Sequence, residues 1–241
     1  MIKAFSLTKV LYVILMLFAV IAAFVIFFSS GKDETPSVFS LGKVDLPILV
    51  IDAGHGGADG GAVSDTGVRE SVINLDISKR MAALAELAGL PYTMTRVSED
   101  IEYPESAKSI AHKKVYDQKK RVELINNTPN AVLISIHQNK FPHKSVSGPQ
   151  SFYSRNLGSD AFAELVQNSV NLAICPNNRR VAAPIAQNLF LYKNVKCPTV
   201  LIECGFLSNP NEEKLLSSDE YKLKIAVALT SAYLQYLSEK D

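Results

Sequence analysis

Three short apolar runs, each followed by a side chain that can hold a metal or carry a proton, limit the folds open to this chain more than any other feature. Ile48-Leu49-Val50-Ile51, Ala131-Val132-Leu133-Ile134-Ser135-Ile136 and Thr199-Val200-Leu201-Ile202 have the length and β-branched content of buried strands. The first opens into a loop carrying His55, the second ends at His137 and the third at Glu203. Between them lie segments of helical period. Strands alternating with helices predict one α/β domain with a twisted, largely parallel sheet flanked by helices. The 241 residues, 47% of them hydrophobic, suffice for one sizeable core, and two full domains would be a tight fit.

The loop after the first run interleaves Asp52, His55 and Asp59 with Gly54, Gly56, Gly57, Gly60 and Gly61. Ligands of open α/β sheets bind beyond the carboxyl ends of the strands, and glycines beside His55 leave its imidazole uncrowded there. Glu70 comes just before Ser71-Val72-Ile73-Asn74-Leu75, so its carboxylate, in a first helical turn, can turn back toward the same cavity.

The remaining elements follow from period and punctuation. Ile73, Ile77, Met81, Leu84 and Ala88 recur at helical intervals until Gly89 and Pro91 stop the helix, and Tyr92-Thr93-Met94-Thr95-Arg96 is a strand candidate. Residues 97–114 are polar, and His112 among them is expected on a solvated loop or helix face. A helix ends near Asn126-Asn127, a strand occupies 148–154, and Phe162, Leu165, Val166, Ser169 and Val170 mark a further helix. Leu189-Phe190-Leu191-Tyr192 reads as another strand. Asn209 before Pro210 caps a helix, and a last one from about Asp219 buries Ile225, Leu229, Ala232, Tyr233 and Tyr236.

The amino-terminal segment bears on location. Residues 10–28 hold no charge and as a helix span ~28 Å, close to a bilayer core. Lys3 and Lys9 precede the stretch, which puts the short leading side in the cytoplasm and the rest of the chain outside. A cleaved signal would have a shorter apolar region and a small-residue site that Phe27-Phe28-Ser29-Ser30-Gly31 does not offer. The expected organisation is a single-pass transmembrane anchor at residues 1–30, a tether at 31–43 and one folded domain at 44–241, which its sheet and helices fill. A net charge of +1 argues against nucleic acid as a partner. Cys175, Cys197 and Cys204 show no metal-binding spacing and are expected as buried free thiols. Arg179 and Arg180 are expected as solvated turn charges, with carboxylates of a substrate as the alternative.

Two histidines and a carboxylate are the protein ligand set of hydrolytic zinc sites. Such an ion polarises a carbonyl and acidifies water, and a further carboxylate takes the proton. On these grounds Glu70 and Glu203 can each be ligand or base.

Asp52-Ala53-Gly54-His55-Gly56-Gly57, Glu70, Ser135-Ile136-His137-Gln138-Asn139 and Glu203-Cys204-Gly205-Phe206-Leu207-Ser208-Asn209-Pro210 resemble, in order, the four motifs of the zinc-dependent N-acetylmuramoyl-L-alanine amidases. The resemblance implies one zinc ion held by His55, Glu70 and His137, with Glu203 as the catalytic base. It also implies cleavage of the amide between N-acetylmuramic acid and L-alanine of peptidoglycan. The anchor, together with Arg121-Val122-Glu123-Leu124-Ile125-Asn126 and Gly148-Pro149-Gln150-Ser151-Phe152-Tyr153, is most similar to the germination-specific amidases, which act on spore cortex on the way to muramic δ-lactam. That implies a domain at the spore membrane facing the cortex. A short tether, reaching ~20 Å as a flexible coil, implies further that the domain either works on membrane-proximal glycan strands or is positioned by a membrane-associated activating protein. Ala53 stands where many members have proline and Gln138 where a small or apolar residue is usual, so a wall of the pocket is expected to differ. The rival readings are a tethered wall-binding scaffold without activity and another zinc amidohydrolase, a peptidase or deacetylase.

Overall fold

The computed structural model describes residues 46–239, and the expected anchor and tether lie outside them. Among the described residues no helix is long and apolar enough to cross a membrane. The elements are β1 (Ile48–Ala53), α1 (Glu70–Leu87), β2 (Tyr92–Met94), α2 (Ile110–Asn127), β3 (Ala131–Asn139) and β4 (Gln150–Tyr153). They continue with α3 (Ser159–Ile174), β5 (Ala183–Pro184), α4 (Phe190–Asn194), β6 (Thr199–Phe206), α5 (Pro210–Leu216) and α6 (Asp219–Ser238). The strands form one sheet in the order β2-β1-β3-β6-β4-β5, parallel throughout except where β4 meets β6.

The helix boundaries have local causes. Gly89, at φ 67°, takes the left-handed conformation that ends α1. Asn209 accepts hydrogen bonds from the amides of Asn211 and Glu212 with Pro210 at the first helical position, and Ser109 and Ser218 cap α2 and α6 in the same way.

The central strands are covered on both faces, which is why they read as continuous apolar runs. One face, with Leu49, Ile51, Val132, Ile134, Ile136, Val200 and Ile202, packs under α1, α3 and α6 around the fully buried Phe162 and Tyr233. The other face carries a smaller core in which Val50 and Leu133 meet Ile125 of α2 and Leu191 and Val195 at α4. Because side chains alternate along a strand, Asp52, Ser135 and His137 continue this second face toward the carboxyl ends of β1 and β3.

Two expectations are corrected. Leu189-Phe190-Leu191-Tyr192 is no strand: residues 190–194 are helical, and Leu191 and Val195, four apart, bury on one side. A four-residue apolar run carries too little period to separate the two conformations. The second and third strands also do not end at His137 and Glu203. They run on to Asn139 and Phe206, with a register irregularity between His137 and Asn139.

Candidate metal and catalytic site

The register of the three central strands assembles the site. Asp52 pairs with Ser135, and two positions further on His137 pairs with Glu203, so both members of each pair face the same side. His55 lies just beyond β1 at φ 59°, a left-handed conformation that is uncommon for a residue with a side chain. Two arginines hold this turn. Arg121 of α2 donates to the carbonyls of Ala53 and His55, both at 2.6 Å, and Arg96 donates to those of Ala53 and Gly54 at 2.9 and 3.1 Å. Beyond it, the Gly56 amide donates to the Asp59 carbonyl at 2.7 Å and closes the loop.

Two glycines are required by what stands next to them. A Cβ on Gly54 would overlap the His137 ring, and one on Gly61, itself at φ 68°, would overlap the Glu70 carboxylate.

Glu70 sits between the two imidazoles. Its Oε1 is 2.9 Å from His137 Nδ1 and 3.4 Å from His55 Nε2, and the two rings cross at 78° with centroids 5.0 Å apart. One ligand atom from each of the three residues lies within 4.8 Å of the others, a grouping that could hold a metal ion. Glu70 also accepts hydrogen bonds from the amides of Ala62 (2.7 Å) and Gln138 (3.1 Å) and from Asn74 Nδ2 (3.2 Å). Burial pushes its pKa up, but the hydrogen bond and charge of His137 outweigh it and hold the carboxyl at about 2. It is an ionised, acceptor-only group.

Glu203 is chemically different. Burial, opposed by His137 and reinforced by Glu70, pushes its pKa up to about 7, and its Oε2 is buried without a hydrogen-bond partner. Two imidazoles, an ionised carboxylate between them and an unpaired buried oxygen alongside fit a divalent cation with a proton acceptor beside it. A cavity of about 260 Å³ opens over His55, His137 and Glu203. Its lining includes the apolar Leu189, Phe190 and Leu201 and the charged Asp59, Lys114 and Asp117.

All four sequence-assigned residues, His55, Glu70, His137 and Glu203, therefore come together. Neither Ala53 nor Gln138 lines the cavity. Ala53 presents its carbonyl to the two arginines, and Gln138 is buried behind Glu70 with its Nε2 on Asn74 Oδ1 at 3.1 Å, so its presence alters the support of Glu70 and not a wall. His112 is exposed on α2, as expected. Arg179 is exposed, whereas Arg180 bonds Gln150 and lies over the Phe206 ring. All three cysteines are free; Cys204 is buried, and Cys175 and Cys197 only partly so.

Sequence reasoning gave no role to Asp52, Asp59, Arg96, Lys114 or Tyr192. Asp52 accepts from Arg121 at 2.7 Å, Ser135 at 2.5 Å and Thr95 at 2.6 Å, an ion pair buried beneath the site. Its one available signal was a carboxylate following four apolar strand residues.

An open α/β sheet that brings two histidines, an ionised carboxylate and a second carboxyl of raised pKa to its strand ends has the frame of a hydrolase whose site could hold a metal ion. The chain belongs to the Amidase_3 family of N-acetylmuramoyl-L-alanine amidases, whose model matches residues 49–234, and this sets its enzyme class. It is 36% identical over 194 residues to the germination-specific N-acetylmuramoyl-L-alanine amidase of Bacillus subtilis, covering 80% of this chain and 81% of that protein. Against AmiA of Escherichia coli the identity is 26%, covering 86% and 81%. Among solved structures, the CwlD amidase from Clostridioides difficile, in complex with the GerS lipoprotein, superposes with a TM-score of 0.76 at 34% identity, covering 80% of this chain and 99% of that one.

Proposed function

We propose that this amidase cleaves the bond between N-acetylmuramic acid and L-alanine with one zinc ion held by His55, Glu70 and His137, and with Glu203 as general base. The observation that carries the reading is the contrast between the two carboxylates: Glu70 is ionised and bonded from several sides, whereas Glu203 titrates near neutrality with a free oxygen. The chemistry that zinc supplies when bound is polarisation of the scissile carbonyl and acidification of water. Glu203 takes the proton of the attacking water and returns it to the departing amine of L-alanine.

Spore cortex is the substrate we favour, with loss of the stem peptide as a step toward muramic δ-lactam; the similarity to the germination-specific enzyme of Bacillus subtilis supports it. We further propose that residues 1–30 anchor the protein by one membrane helix, that 31–43 form a tether, and that 44–241 work outside the membrane, facing the cortex. The uncharged stretch at 10–28 and its leading lysines support this. The lipoprotein bound to CwlD supports a membrane-associated protein as an activating partner here.

The test is a pair of measurements on purified protein. His55→Ala and His137→Ala should lose zinc by metal analysis, while Glu203→Gln should retain it and release free stem peptide from peptidoglycan ~10²–10⁴-fold more slowly by mass spectrometry. Zinc lost with Glu203→Gln and kept with Glu70→Gln would reverse the two roles, and shortened stems in place of free ones would indicate a peptidase.

A further inference from the structure

The two nitrogens of His137 face different groups. Nδ1 lies 2.9 Å from Glu70 Oε1, and Nε2 lies 3.3 Å from the hydroxyl of Tyr192. That hydroxyl is 3.0 Å from Ser135 Oγ, and Ser135 Oγ donates to Asp52 Oδ2 at 2.5 Å. The last bond gives the whole chain its direction. Asp52 is paired with Arg121 and only accepts. Ser135 has a single hydroxyl proton, committed to Asp52, so its oxygen can only accept from Tyr192. The Tyr192 proton therefore points at Ser135, and the Tyr192 oxygen can only accept from His137. Nε2 must carry a proton.

The geometry points to Tyr192 as a positioning residue that sets the tautomer of His137, so that Nδ1, the nitrogen beside Glu70, coordinates zinc. His55 is set the other way round. Its Nδ1 is held by Asp59 at 2.9 Å, and Asp59 is paired with Lys114 at 2.9 Å, which leaves Nε2 to coordinate. The two histidines thus meet the ion through different nitrogens. Both arrangements end on a carboxylate paired with a cation of α2, Arg121 in one case and Lys114 in the other. This helix buries only Arg121 and Ile125 of its 18 residues, so its main service is to the site and not to the core. The inference rests on the zinc reading above and adds which atom of each histidine coordinates and what decides it.

The test uses full-length, zinc-loaded protein in detergent with ¹⁵N-labelled histidine. Long-range ¹H–¹⁵N spectra report which nitrogen bears the proton and which binds metal, independently of activity. His137 should show a protonated Nε2 and a metal-bound Nδ1, and His55 the reverse. Tyr192→Phe keeps the ring but removes the acceptor, and Ser135→Ala frees the Tyr192 proton to turn toward Nε2. Each should raise the zinc dissociation constant by about 10–100-fold in a chelator competition, the range for outer partners of a ligating histidine. Thermal unfolding of metal-free Tyr192→Phe should be nearly unchanged, whereas Ser135→Ala, which also takes a donor from the buried Asp52, should unfold at a lower temperature. In Tyr192→Phe the Nε2 proton should also exchange faster with water. A metal-bound Nε2 on His137, or unchanged zinc affinity in both variants, overturns the assignment. Wild type that binds no zinc overturns the zinc reading together with it, so the two failures are distinguishable.

Discussion

Arg121→Met removes the charge that holds the strand-end turn while keeping a long apolar stem. Arg121 is 4% exposed and donates to Asp52 (2.7 Å), Asp117 (2.9 Å) and the carbonyls of Ala53 and His55 (both 2.6 Å). Burial raises the pKa of Asp52, and Arg121 leads the groups that outweigh burial and bring it from 3.8 down to about 2. A gap of nearly two units corresponds to about 2–3 kcal/mol of folding stability. Adding the orphaned carbonyls, the variant should lose ~3–5 kcal/mol at pH 7, the usual cost of removing one partner of a buried pair.

The sign with pH separates this account from simple loss of packing. The folded pKa of Asp52 is depressed, so its contribution in wild type is complete above about pH 4 and is lost as pH falls through about 2. In Arg121→Met nothing of that strength opposes burial, so the Asp52 pKa rises and the buried charge is penalised chiefly above pH 4. The stability gap between the two proteins should therefore narrow by ~1 kcal/mol or more between pH 7 and pH 3 in urea unfolding. A gap of equal size at both pH values would refute the argument and assign the loss to the carbonyl bonds alone.

Gly54→Ala drives a methyl group into the space of the His137 ring. Unfolding free energy should fall by ~1–3 kcal/mol, as for overpacked cores, and zinc affinity should fall with it in a chelator competition. Phe162→Ala, which empties the space beside Tyr233 and Tyr236 in the large core, should cost ~3–5 kcal/mol in urea unfolding while zinc stoichiometry stays at the wild-type value in the folded protein.

Local pattern reaches as far as local causes do. β1, β3 and β6 were legible because both of their faces are covered, which turns each into an unbroken apolar run, and His55, His137 and Glu203 stood out where those runs broke. The strands nevertheless extend past the polarity break, because pairing of His137 with Glu203 depends on the neighbouring backbone and not on side-chain character. Arg121 and Asp52 are 69 positions apart, and Tyr192 and His137 are 55 apart, so no spacing rule announces either pair. For Tyr192 the local string also pointed to the wrong conformation.

The roles of the two glutamates show most clearly what only the folded chain decides. As residue types Glu70 and Glu203 are equivalent, one opening α1 and the other lying within β6. In the fold, Glu70 receives two backbone amides, the Asn74 amide and the His137 ring, whereas Glu203 Oε2 receives no donor at all. Donors stabilise the charged form and burial without donors disfavours it, so the same carboxyl group is held ionised at one position and pushed up to about 7 at the other. In the reading proposed above, ligand and base differ by the count of hydrogen-bond donors around each, a property of the assembled sheet and its loops.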